Sequence, residues 1–369
     1  MRFVIAAGGT GGHLFPGVAV GEVFLARGHE AMLVISEKEI DAIATQGRAG
    51  FRIEKVAGVG LQSKSPIAFL RFLWKIRAAI AHCKRLFAEW QPSAVLGMGG
   101  FTSFAPIFAG RRRRLPTFVH ESNAIPGRAN RLNARFVTRV LLGFAECRRH
   151  FPKAQCEVTG TPVRSTLTKP ADKAAALAAF GLSPEKKTLL IMGGSQGASG
   201  INRSVAAALP ALANRALQAI HLTGRIDEST VRDAYARAGI AAHVAAFHHR
   251  MEEAYGAADL AIARSGAASL TELSCFGLPS VLIPYPFAAD DHQTANAEIF
   301  VNGGAAVLLK ESDATAEKLA GEIAALLDTP GRLAAMSEQS RRLAPAGAAE
   351  RVADTVLQFC EPHHQNHLT

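Results

Sequence analysis

A short apolar segment that runs into a glycine-rich turn and then into a helical pattern occurs twice in this chain. The first copy comprises Phe3–Ala7, Gly8-Gly-Thr-Gly-Gly-His13 and Val18–Leu25, and the second comprises Leu189–Met192, Gly193-Gly-Ser-Gln-Gly-Ala198 and Ile201–Leu209. Glycines let backbone approach a ligand closely, and the helix that follows points N–H groups at it. Each turn therefore predicts a binding loop, with a tight connection that binds nothing as the alternative.

Further apolar segments alternate with helical ones along both halves, which predicts an α/β fold with parallel sheets. The predicted strands are Phe3–Ala7, Ala31–Ile35, Ala94–Gly97, Thr117–His120, Val137–Leu142, Leu189–Met192, Gln218–Leu222, Val244–Phe247, Leu260–Ala263 and Ser280–Ile283. At 369 residues the chain suggests two domains. The repeated pattern predicts two doubly wound domains that face each other across a cleft. We place them at residues 1–163 and 164–343, and we expect a last helix, at about 344–360, to pack back on the first domain.

Three segments of the first half should converge, because ligands of open α/β sheets bind beyond the carboxyl ends of the strands. They are the turn that ends in His13, a second glycine turn at Gly97-Met-Gly-Gly100, and the polar segment His120-Glu-Ser-Asn123. An imidazole titrates near neutral pH, so His13 is the candidate general base. Positioning of the substrate is the alternative role for this side chain.

Composition and charge limit the classes of partner. Hydrophobic residues make up 49% and charged residues 20%, as in a globular protein. The five cysteines are scattered, which favours a reducing compartment. No apolar run is long enough to span a membrane, and the chain starts directly on a strand, so we expect no signal peptide. Residues 1–160 carry 23 Lys and Arg against 10 Asp and Glu, whereas the remainder carries 18 against 21.

This basic first half contains one segment with more aromatic residues than a buried helix face needs. Between Ile67 and Ile80, a cluster of apolar side chains is interleaved with basic ones, and a run of four arginines follows at Arg111–Arg114. Such a pattern favours an anionic membrane surface; a helix packed on the sheet, a solvated loop and a nucleic-acid patch are the alternatives. No nucleic-acid-binding motif supports the last of these, and we expect no nucleic-acid partner. The predicted membrane patch is Phe69, Arg71, Phe72, Leu73, Trp74, Lys75, Arg111 and Arg112.

The second half carries polar clusters after its predicted strands. The turn at Ser195 suits a diphosphate, but it lacks the Gly-Lys-Ser/Thr ending of an ATP-binding loop. Glu272 lies in an apolar helix, where it is either a solvated carboxylate or an acceptor for a ribose diol. Asp290 or Asp291 could cap the next helix. The sequence contains no Asp-x-Asp triplet, so we expect no metal site of that kind and no cofactor.

Six motifs in this order and spacing resemble the bacterial N-acetylglucosaminyltransferases that form lipid II in peptidoglycan synthesis. They are Gly8-Gly-Thr-Gly-Gly-His-Leu-Phe-Pro16, Gly97-Met-Gly-Gly100, His120-Glu-Ser-Asn123, Gly193-Gly-Ser-Gln-Gly-Ala198, Arg264-Ser-Gly-Ala267 and Asp291-His-Gln293. The resemblance implies a GT-B architecture of two Rossmann-like domains, with the acceptor bound by the first and UDP-N-acetylglucosamine (UDP-GlcNAc) by the second. It also implies a peripheral enzyme on the cytoplasmic face of the inner membrane. The acceptor would be undecaprenyl-diphospho-MurNAc-pentapeptide, lipid I.

The resemblance also implies roles for individual residues. Thr10, Gly11, Gly12 and Asn123 would line the sugar and acceptor side. Arg164 and the turn Ser195, Gln196 and Gly197 would contact UDP. The segment Ala267, Ala268, Ser269, Leu270, Thr271 and Glu272 would hold the nucleotide, with Glu272 on the ribose, and Gln293 would bind the transferred sugar. Where the family usually has an aliphatic residue beside the uracil, this chain has His248, so a contact there should depend on backbone.

The resemblance implies inverting, metal-independent transfer, in which the acceptor hydroxyl displaces UDP in one step. Rival functions are another GT-B transferase that glycosylates a different lipid, a UDP-GlcNAc 2-epimerase, and a sugar-nucleotide-binding subunit without catalytic activity. An NAD-dependent oxidoreductase does not fit the glycine spacing of the first turn.

Overall fold

The computed structural model describes residues 1–8, 11–36, 50–56, 65–168, 172–194, 197–343 and 347–361. The chain forms two compact units: an N-terminal unit of Met1–Arg164 with Gly347–Thr369, and a C-terminal unit of Ser165–Ala346. Each unit contains one parallel sheet with helices packed on it. The predicted α/β fold with two parallel sheets is confirmed.

The N-terminal unit has a seven-stranded sheet in the order β3-β2-β1-β4-β5-β6-β7. Its strands are β1 (Arg2–Ala6), β2 (Glu30–Ile35), β3 (Phe51–Lys55), β4 (Ala94–Gly97), β5 (Thr117–Glu121), β6 (Arg139–Leu142) and β7 (Cys156–Val158). Its helices are Gly11–Ala26, Pro66–Trp90, Phe104–Arg112, Arg128–Asn133 and Ala348–Gln358, with short 3-10 helices at Phe101–Ser103 and Ala145–His150.

Helices cover both faces of this sheet because successive residues of a strand point to opposite faces. Phe3 and Ile5 of β1 belong to one core, which also includes side chains of the first helix and of Ala348–Gln358. Val4 and Ala6 belong to the other core, with the second half of Pro66–Trp90. The last helix of the chain therefore completes the core of the N-terminal unit.

The C-terminal unit has a six-stranded sheet in the order β10-β9-β8-β11-β12-β13. Its strands are β8 (Lys187–Met192), β9 (Leu217–Leu222), β10 (Ala241–Ala245), β11 (Leu260–Ala263), β12 (Ser280–Leu282) and β13 (Ala306–Leu308). Its helices are Lys173–Ala179, Ser199–Leu212, Glu228–Ala238, Met251–Ala257, Ala267–Cys275, His292–Asn302, Ala316–Asp328 and Arg332–Leu343, with 3-10 helices at Ser165–Thr168, Ala289–Asp291 and Glu311–Asp313.

The structure differs from the sequence prediction at both glycine-rich and edge segments. The first helix begins at Gly11, so His13 lies in its first turn and Pro16 lies inside it. The prediction of a helix from Val18 missed this start because glycine and proline both disfavour helix interiors. Strands β3, β7 and β13 were not predicted, and β10 ends at Ala245, before the predicted Phe247.

None of the described helices is both long enough and apolar enough to cross a membrane.

Candidate active site

His13 lies directly beyond the carboxyl end of β1, against the turn that follows β4. In that turn Gly99 and Gly100 have positive φ angles of 109° and 69°. A Cβ atom on Gly99 would come within 2.9 Å of Nε2 of His13, and one on Gly100 within 3.5 Å of Nδ1. The two glycines therefore make room for the imidazole ring, and the first two glycine turns meet around it.

Glu121, the last residue of β5, is a buried carboxylate that is held by N–H donors. Its Oε1 accepts hydrogen bonds from the backbone N of Asn123 at 2.9 Å and from Nδ2 of the same residue at 3.0 Å. Its Oε2 accepts from the backbone N of Gly127 at 3.0 Å and from Nδ2 of Asn130 at 2.8 Å. Four donors offset the desolvation of the carboxylate. Glu121 therefore fixes the orientation of the Asn123 side chain.

Asn130 is a polar residue near His13 that the sequence analysis missed. Its Nδ2 also donates to the backbone oxygen of His120 at 3.0 Å, and it would lie 3.4 Å from a Cβ atom on Gly99. Its Oδ1 is buried and has no hydrogen-bond partner among the described residues. A buried acceptor without a donor costs free energy, so this oxygen suits a ligand hydroxyl. Its position in a short polar helix, Arg128–Asn133, carried no sequence signal for this role.

His120 is fully buried, and desolvation lowers its pKa despite the hydrogen bond to Gly160 and the nearby Glu121 carboxylate. Its Nε2 lies 2.9 Å from the backbone oxygen of Gly160, and Nδ1 lies 3.3 Å from Oγ of Ser122. A neutral imidazole that donates a hydrogen bond from Nε2 can accept one from the Ser122 hydroxyl at Nδ1. His120 therefore links β5 to the chain at Gly160 as a neutral group, whereas His13 is half-buried.

Arg164 contacts the first helix of the same unit. Its guanidinium carbon lies 4.8 Å from the centroid of the Phe15 ring, a cation–π arrangement. Phe15 follows His13 by two residues, so Arg164 lies at the same edge of the sheet as His13 and Gly12. The structure thus brings these predicted residues of the N-terminal unit together at one edge.

The glycine turn of the C-terminal unit packs against the end of β9. Gly194 and Gly197 have φ angles of 91° and 77°, and the backbone N of Gly197 donates to the oxygen of Gly194 at 3.0 Å. A Cβ atom on Gly197 would overlap the backbone oxygen of Thr223, whereas one on Gly194 would meet no atom within 4 Å. The turn then opens the helix Ser199–Leu212, whose first N–H groups lie at the carboxyl edge of the sheet.

A buried network holds that helix to β9. His221 is fully buried; its Nε2 lies 3.0 Å from Oδ1 of Asn202, and its Nδ1 lies 3.2 Å from the hydroxyl of Tyr235. Nδ2 of Asn202 donates to the backbone oxygen of Thr223 and to Oδ2 of Asp227, both at 2.8 Å. Burial lowers the pKa of His221 to about 3, so the ring is neutral at physiological pH. The network fixes the backbone at Thr223, against which the glycine turn packs.

This neutral imidazole makes the stability of the chain depend on pH. The pKa of His221 is about 3 in the folded chain against an ordinary value of 6.5, so between these values the unfolded chain binds more protons. We expect the free energy of unfolding to fall as the pH is lowered through this range, by up to about 1.4 kcal/mol per pH unit from this group. Urea unfolding between about pH 4 and 7 measures this slope. His221→Gln should flatten it, whereas His249→Gln, at an exposed position, should not; equal slopes in both variants and the parent would contradict the assignment.

The predicted nucleotide segment forms the helix Ala267–Cys275, which follows β11. Oε2 of Glu272 accepts a hydrogen bond from the hydroxyl of Tyr255 at 2.6 Å. Glu272 is half-buried, so it is not simply a solvated carboxylate. Ala268 and Ser269 are also half-buried, whereas the remaining predicted members, Ala267, Leu270 and Thr271, have buried side chains.

Gln293 is the second residue of the helix His292–Asn302, and hydrogen bonds hold both its side chain and its backbone. Its Oε1 accepts from the backbone N of Tyr285 at 2.9 Å, and its backbone oxygen accepts from Oγ of Ser265 at 2.7 Å. The guanidinium of Arg264 lies over the Tyr285 ring at 5.4 Å. Within the described part of the chain, Nε2 of Gln293 donates to no other group, so its N–H groups suit a ligand oxygen.

Arg264 itself is buried at the carboxyl ends of β11 and β12. Its Nη1 donates to the backbone oxygens of Ile283 at 3.1 Å and Pro284 at 3.0 Å, and its Nη2 forms an ion pair with Glu311. A Cβ atom on Gly200 would overlap the Glu311 carboxylate. Arg264 therefore connects the two strand ends to the first turn of the helix that follows β8.

Asp291 occupies the N-cap position of the helix His292–Asn302, but its side chain forms no capping hydrogen bond. Asp290 and Asp291 adopt left-handed backbone conformations, with φ of 52° and 51°. The helix begins after Asp291 without a side-chain cap, and Oδ1 of Asp291 accepts from Oγ1 of Thr294 at 2.7 Å instead. A left-handed residue cannot adopt the extended geometry that an N-cap usually needs.

The side chain of His248 packs within the C-terminal unit. Its ring centroid lies 4.8 Å from that of Phe180, and its Nε2 lies 3.1 Å from Oε2 of Glu253. The His248 ring therefore makes its contacts with Phe180 and Glu253 of the C-terminal unit.

Six of the eight predicted residues of the membrane patch lie on the first half of the helix Pro66–Trp90, and the other two, Arg111 and Arg112, end the helix Phe104–Arg112. Ser65 caps the helix Pro66–Trp90 by accepting from the backbone N of Ala68 at 3.1 Å. The helix spans 25 residues, about 37 Å, which exceeds the length of the strands it covers. Among the side chains of this helix that the structure describes, the buried ones that contact the sheet lie in its second half, at Ala79, Cys83, Leu86, Phe87 and Trp90.

The first half instead exposes large apolar side chains. Trp74 is 71% exposed, Leu70 65% and Leu73 41%, and Phe101 adds a further 41% exposed ring. Phe72 is half-buried, with its ring centroid 6.3 Å from that of Phe101. The predicted basic members Arg71, Lys75, Arg111 and Arg112 are exposed, and the helix that ends at Arg112 packs against Pro66–Trp90. Leu70 and Phe101 were missing from the predicted patch.

Some predicted positions lie outside the described residues. They are Thr10, Ser195 and Gln196, together with the side chain of Phe69.

Comparisons with known proteins cover both units. Residues 3–142 match the glycosyltransferase family 28 N-terminal domain, and residues 188–354 match the family 28 C-terminal domain. The chain is 38% identical over 362 residues to the UDP-N-acetylglucosamine–N-acetylmuramyl-(pentapeptide) pyrophosphoryl-undecaprenol N-acetylglucosamine transferase of Geotalea uraniireducens, covering 97% of this chain and 98% of that protein.

Solved structures give the same family and fold. The crystal structure of Acinetobacter baumannii MurG aligns with a TM-score of 0.78 and 28% identity, covering 97% of this chain and 99% of that one. The UDP-GlcNAc 2-epimerase of Neisseria meningitidis aligns with a TM-score of 0.69 over 97% of this chain and 100% of that one, but at 14% identity it shows the fold alone. The chain belongs to glycosyltransferase family 28 and, within it, to the UDP-N-acetylglucosamine–N-acetylmuramyl-(pentapeptide) pyrophosphoryl-undecaprenol N-acetylglucosamine transferases.

Proposed function

We propose that this chain transfers GlcNAc from UDP-GlcNAc to the 4-hydroxyl of MurNAc in lipid I, which gives lipid II for peptidoglycan. The observation that carries the proposal is the 38% identity over nearly the full length to a relative named for this reaction. In this proposal the N-terminal unit binds the acceptor and the C-terminal unit binds the donor.

On the acceptor side, the edge of the N-terminal sheet offers a base and fixed polar groups. The ring of His13 lies against Gly99 and Gly100, and Glu121 orients Asn123 and Asn130 nearby. The buried Oδ1 of Asn130 can accept a hydrogen bond from a sugar hydroxyl. The side chains of Asn123 and Asn130 are already oriented by hydrogen bonds within the unit, which reduces the cost of ordering them when the acceptor binds. Thr10, Gly11 and Gly12, which precede His13 in the sequence, are the residues that we propose contact the sugar on this side.

The reaction needs one proton transfer. As the acceptor oxygen attacks the anomeric carbon, the hydroxyl proton passes to the imidazole of His13, the bond from that carbon to the UDP oxygen breaks, and UDP leaves with the electron pair. A single displacement inverts the configuration at the anomeric carbon. A positioned base contributes about 10²- to 10⁴-fold to such a step.

On the donor side, the C-terminal unit offers N–H groups for the charge that develops on the diphosphate. The turn Gly193–Ala198, with Ser195, Gln196 and Gly197, leads into the N-terminus of Ser199–Leu212, where backbone donors and the helix dipole favour an anion. Arg164 adds a cation for the UDP portion. These donors support a transfer that needs no metal ion.

The remaining donor contacts come from the helix Ala267–Cys275 and the one that begins at His292. The hydrogen bond from Tyr255 orients Glu272 for the ribose hydroxyls, and the N–H groups of Gln293 serve the transferred sugar. Because Leu270 and Thr271 have buried side chains, we propose that the nucleotide contacts this segment through Ala268, Ser269, Glu272 and backbone.

The test is transfer of radiolabelled GlcNAc to a soluble lipid I analogue in the presence of EDTA. We expect labelled product at a rate that added Mg²⁺ does not change. Folded protein that transfers nothing to this acceptor would sink the assignment, and strict dependence on metal would sink the metal-independent mechanism. Transfer to diacylglycerol but not to lipid I, or release of UDP-ManNAc without acceptor, would favour the rival lipid glycosyltransferase or the epimerase.

We further propose that the chain is a peripheral protein of the cytoplasmic face of the bacterial inner membrane. The exposed side chains of Leu70, Leu73, Trp74 and Phe101 supply the apolar contact, and the neighbouring arginines and lysine supply attraction to anionic headgroups. Such a surface keeps the unit close to a substrate whose lipid remains in the bilayer.

Replacing Leu70 and Trp74 together by Ser should weaken binding to phosphatidylglycerol vesicles by about 10- to 100-fold, since each side chain buries apolar area in the bilayer. Vesicle sedimentation measures this, and activity on a soluble acceptor should remain. Ile53→Ser, which changes an exposed apolar residue of β3, is the matched control and should leave vesicle binding intact. Unchanged binding of the double variant would exclude this patch as the membrane contact.

A further inference from the structure

The C-terminal unit has a cavity of about 490 Å³ at the edge of its sheet opposite to the glycine turn. Lys187, which begins β8, lines this cavity, as do Asp259 before β11 and Pro279 before β12. The glycine turn follows the other end of β8, so about 17 Å of strand separates the two sites. The volume is that of a small-molecule site.

Positive charge dominates the cavity. Nζ of Lys173 lies 2.7 Å and Nζ of Lys187 3.3 Å from Oδ1 of Asp259, so two ammonium groups share one carboxylate. Arg341 adds a third cation, whose Nη1 donates to Oγ of Ser337 and whose guanidinium lies against Gly277. Asp259 is the only Asp or Glu among the described residues that line the cavity. The excess of cations suits an anionic ligand.

Apolar side chains form the rest of the wall. Leu278, Leu333 and Phe276 line the cavity. The buried ring of Tyr255 also lines it, with its centroid 5.3 Å from that of the Phe276 ring. Burial raises the pKa of the Cys275 thiol to about 11, so that group lines the cavity in its neutral form. The anion that fits therefore has an apolar body.

Tyr255 also connects this cavity to the opposite edge of the sheet. Its hydroxyl donates to Glu272 at 2.6 Å and lies 3.8 Å from Sδ of Met192, the residue directly before the glycine turn. A ligand that contacts Tyr255 or Phe276 therefore acts on a side chain that orients Glu272.

We propose that this cavity binds a small phosphate monoester with an apolar body, and that its occupancy changes the affinity of the chain for UDP through Tyr255. The second part rests on the proposed function, which places the ribose at Glu272. Two cations left over after Asp259 is paired match the charge of a phosphate monoester near neutral pH.

Calorimetry of the full chain with phenyl phosphate tests the site. We expect phenyl phosphate to bind both without UDP and at saturating UDP, which separates this cavity from the diphosphate turn. Lys187→Ala with Arg341→Ala should weaken its binding by about tenfold or more, equivalent to about 1.4 kcal/mol. The matched control, Lys186→Ala with Arg342→Ala, removes the same charge from adjacent exposed positions and should bind as the parent does. Absence of binding, displacement by UDP, or equal losses in both double variants would overturn the site.

The link is tested by titrating UDP with and without phenyl phosphate. We expect the Kd for UDP to change by about twofold or more in the parent and to stay constant in Tyr255→Phe, which still binds phenyl phosphate. A constant Kd in the parent would overturn the link. Failure of UDP to bind without phenyl phosphate would count against the proposed function instead, and the phenyl phosphate titrations would still decide the site.

Discussion

Replacing His13 by alanine is expected to lower kcat by about 10²- to 10⁴-fold, the contribution of a positioned general base. The affinity for UDP should stay within about twofold, because His13 lies in the N-terminal unit and the nucleotide contacts that we propose lie mainly in the other. The loss should therefore appear in kcat with little change in the KM for UDP-GlcNAc, as expected for an interaction made in the transition state.

Single-turnover transfer to the lipid I analogue measures this effect, and calorimetry with UDP confirms that the variant is folded and binds. His13→Gln provides a stricter comparison, since it keeps a polar side chain against Gly99 and Gly100 but cannot accept the proton at neutral pH. His249→Ala, at an exposed position, is the control for a lost histidine. Full turnover by His13→Gln would leave His13 as a positioning residue only.

The interior of both sheets could be predicted from the sequence, and their edges could not. Strands such as β1, β4 and β8 are buried on both faces, so they read as continuous apolar runs. The strands that were missed or displaced, β3, β7, β10 and β13, are the four edge strands. An edge strand is paired on one side and partly solvated, so its sequence carries polar residues, as Arg52, Glu54 and Lys55 do in β3.

In the candidate site, too, the features formed by consecutive residues could be predicted from the sequence, and those formed by residues distant in the chain could not. The glycine turns and His13 could be found from sequence because a strand, a turn and a helix are consecutive in the chain. The buried Glu121 carboxylate is held by donors two to nine residues later, and the half-buried Glu272 carboxylate is held by Tyr255, seventeen residues earlier. The roles of Asn130 and Tyr255 could not be predicted, because their partners meet only in the folded unit.

Gly197→Ala should destabilise the chain more than Gly194→Ala does, although both substitutions lie in the same glycine turn. Both Gly194 and Gly197 have positive φ, so alanine at either position costs about 1–2 kcal/mol in backbone conformation. A Cβ atom at Gly197 would in addition overlap the backbone oxygen of Thr223, whereas one at Gly194 would meet no atom within 4 Å. That oxygen is held by Nδ2 of Asn202, so it cannot move without breaking the network around His221.

We therefore expect Gly197→Ala to lower the free energy of unfolding by about 3 kcal/mol or more, against about 1–2 kcal/mol for Gly194→Ala. Urea unfolding at neutral pH measures the free energy of unfolding of both variants. Gly194→Ala is the control, because it makes the same substitution three positions earlier in the same turn. Because the overlap displaces the turn that we propose holds the diphosphate, Gly197→Ala should also lower the affinity for UDP by at least about tenfold. Equal losses of stability in the two variants would show that Thr223 does not confine the turn. Normal UDP affinity in a destabilised Gly197→Ala variant would instead mean that the diphosphate is bound elsewhere.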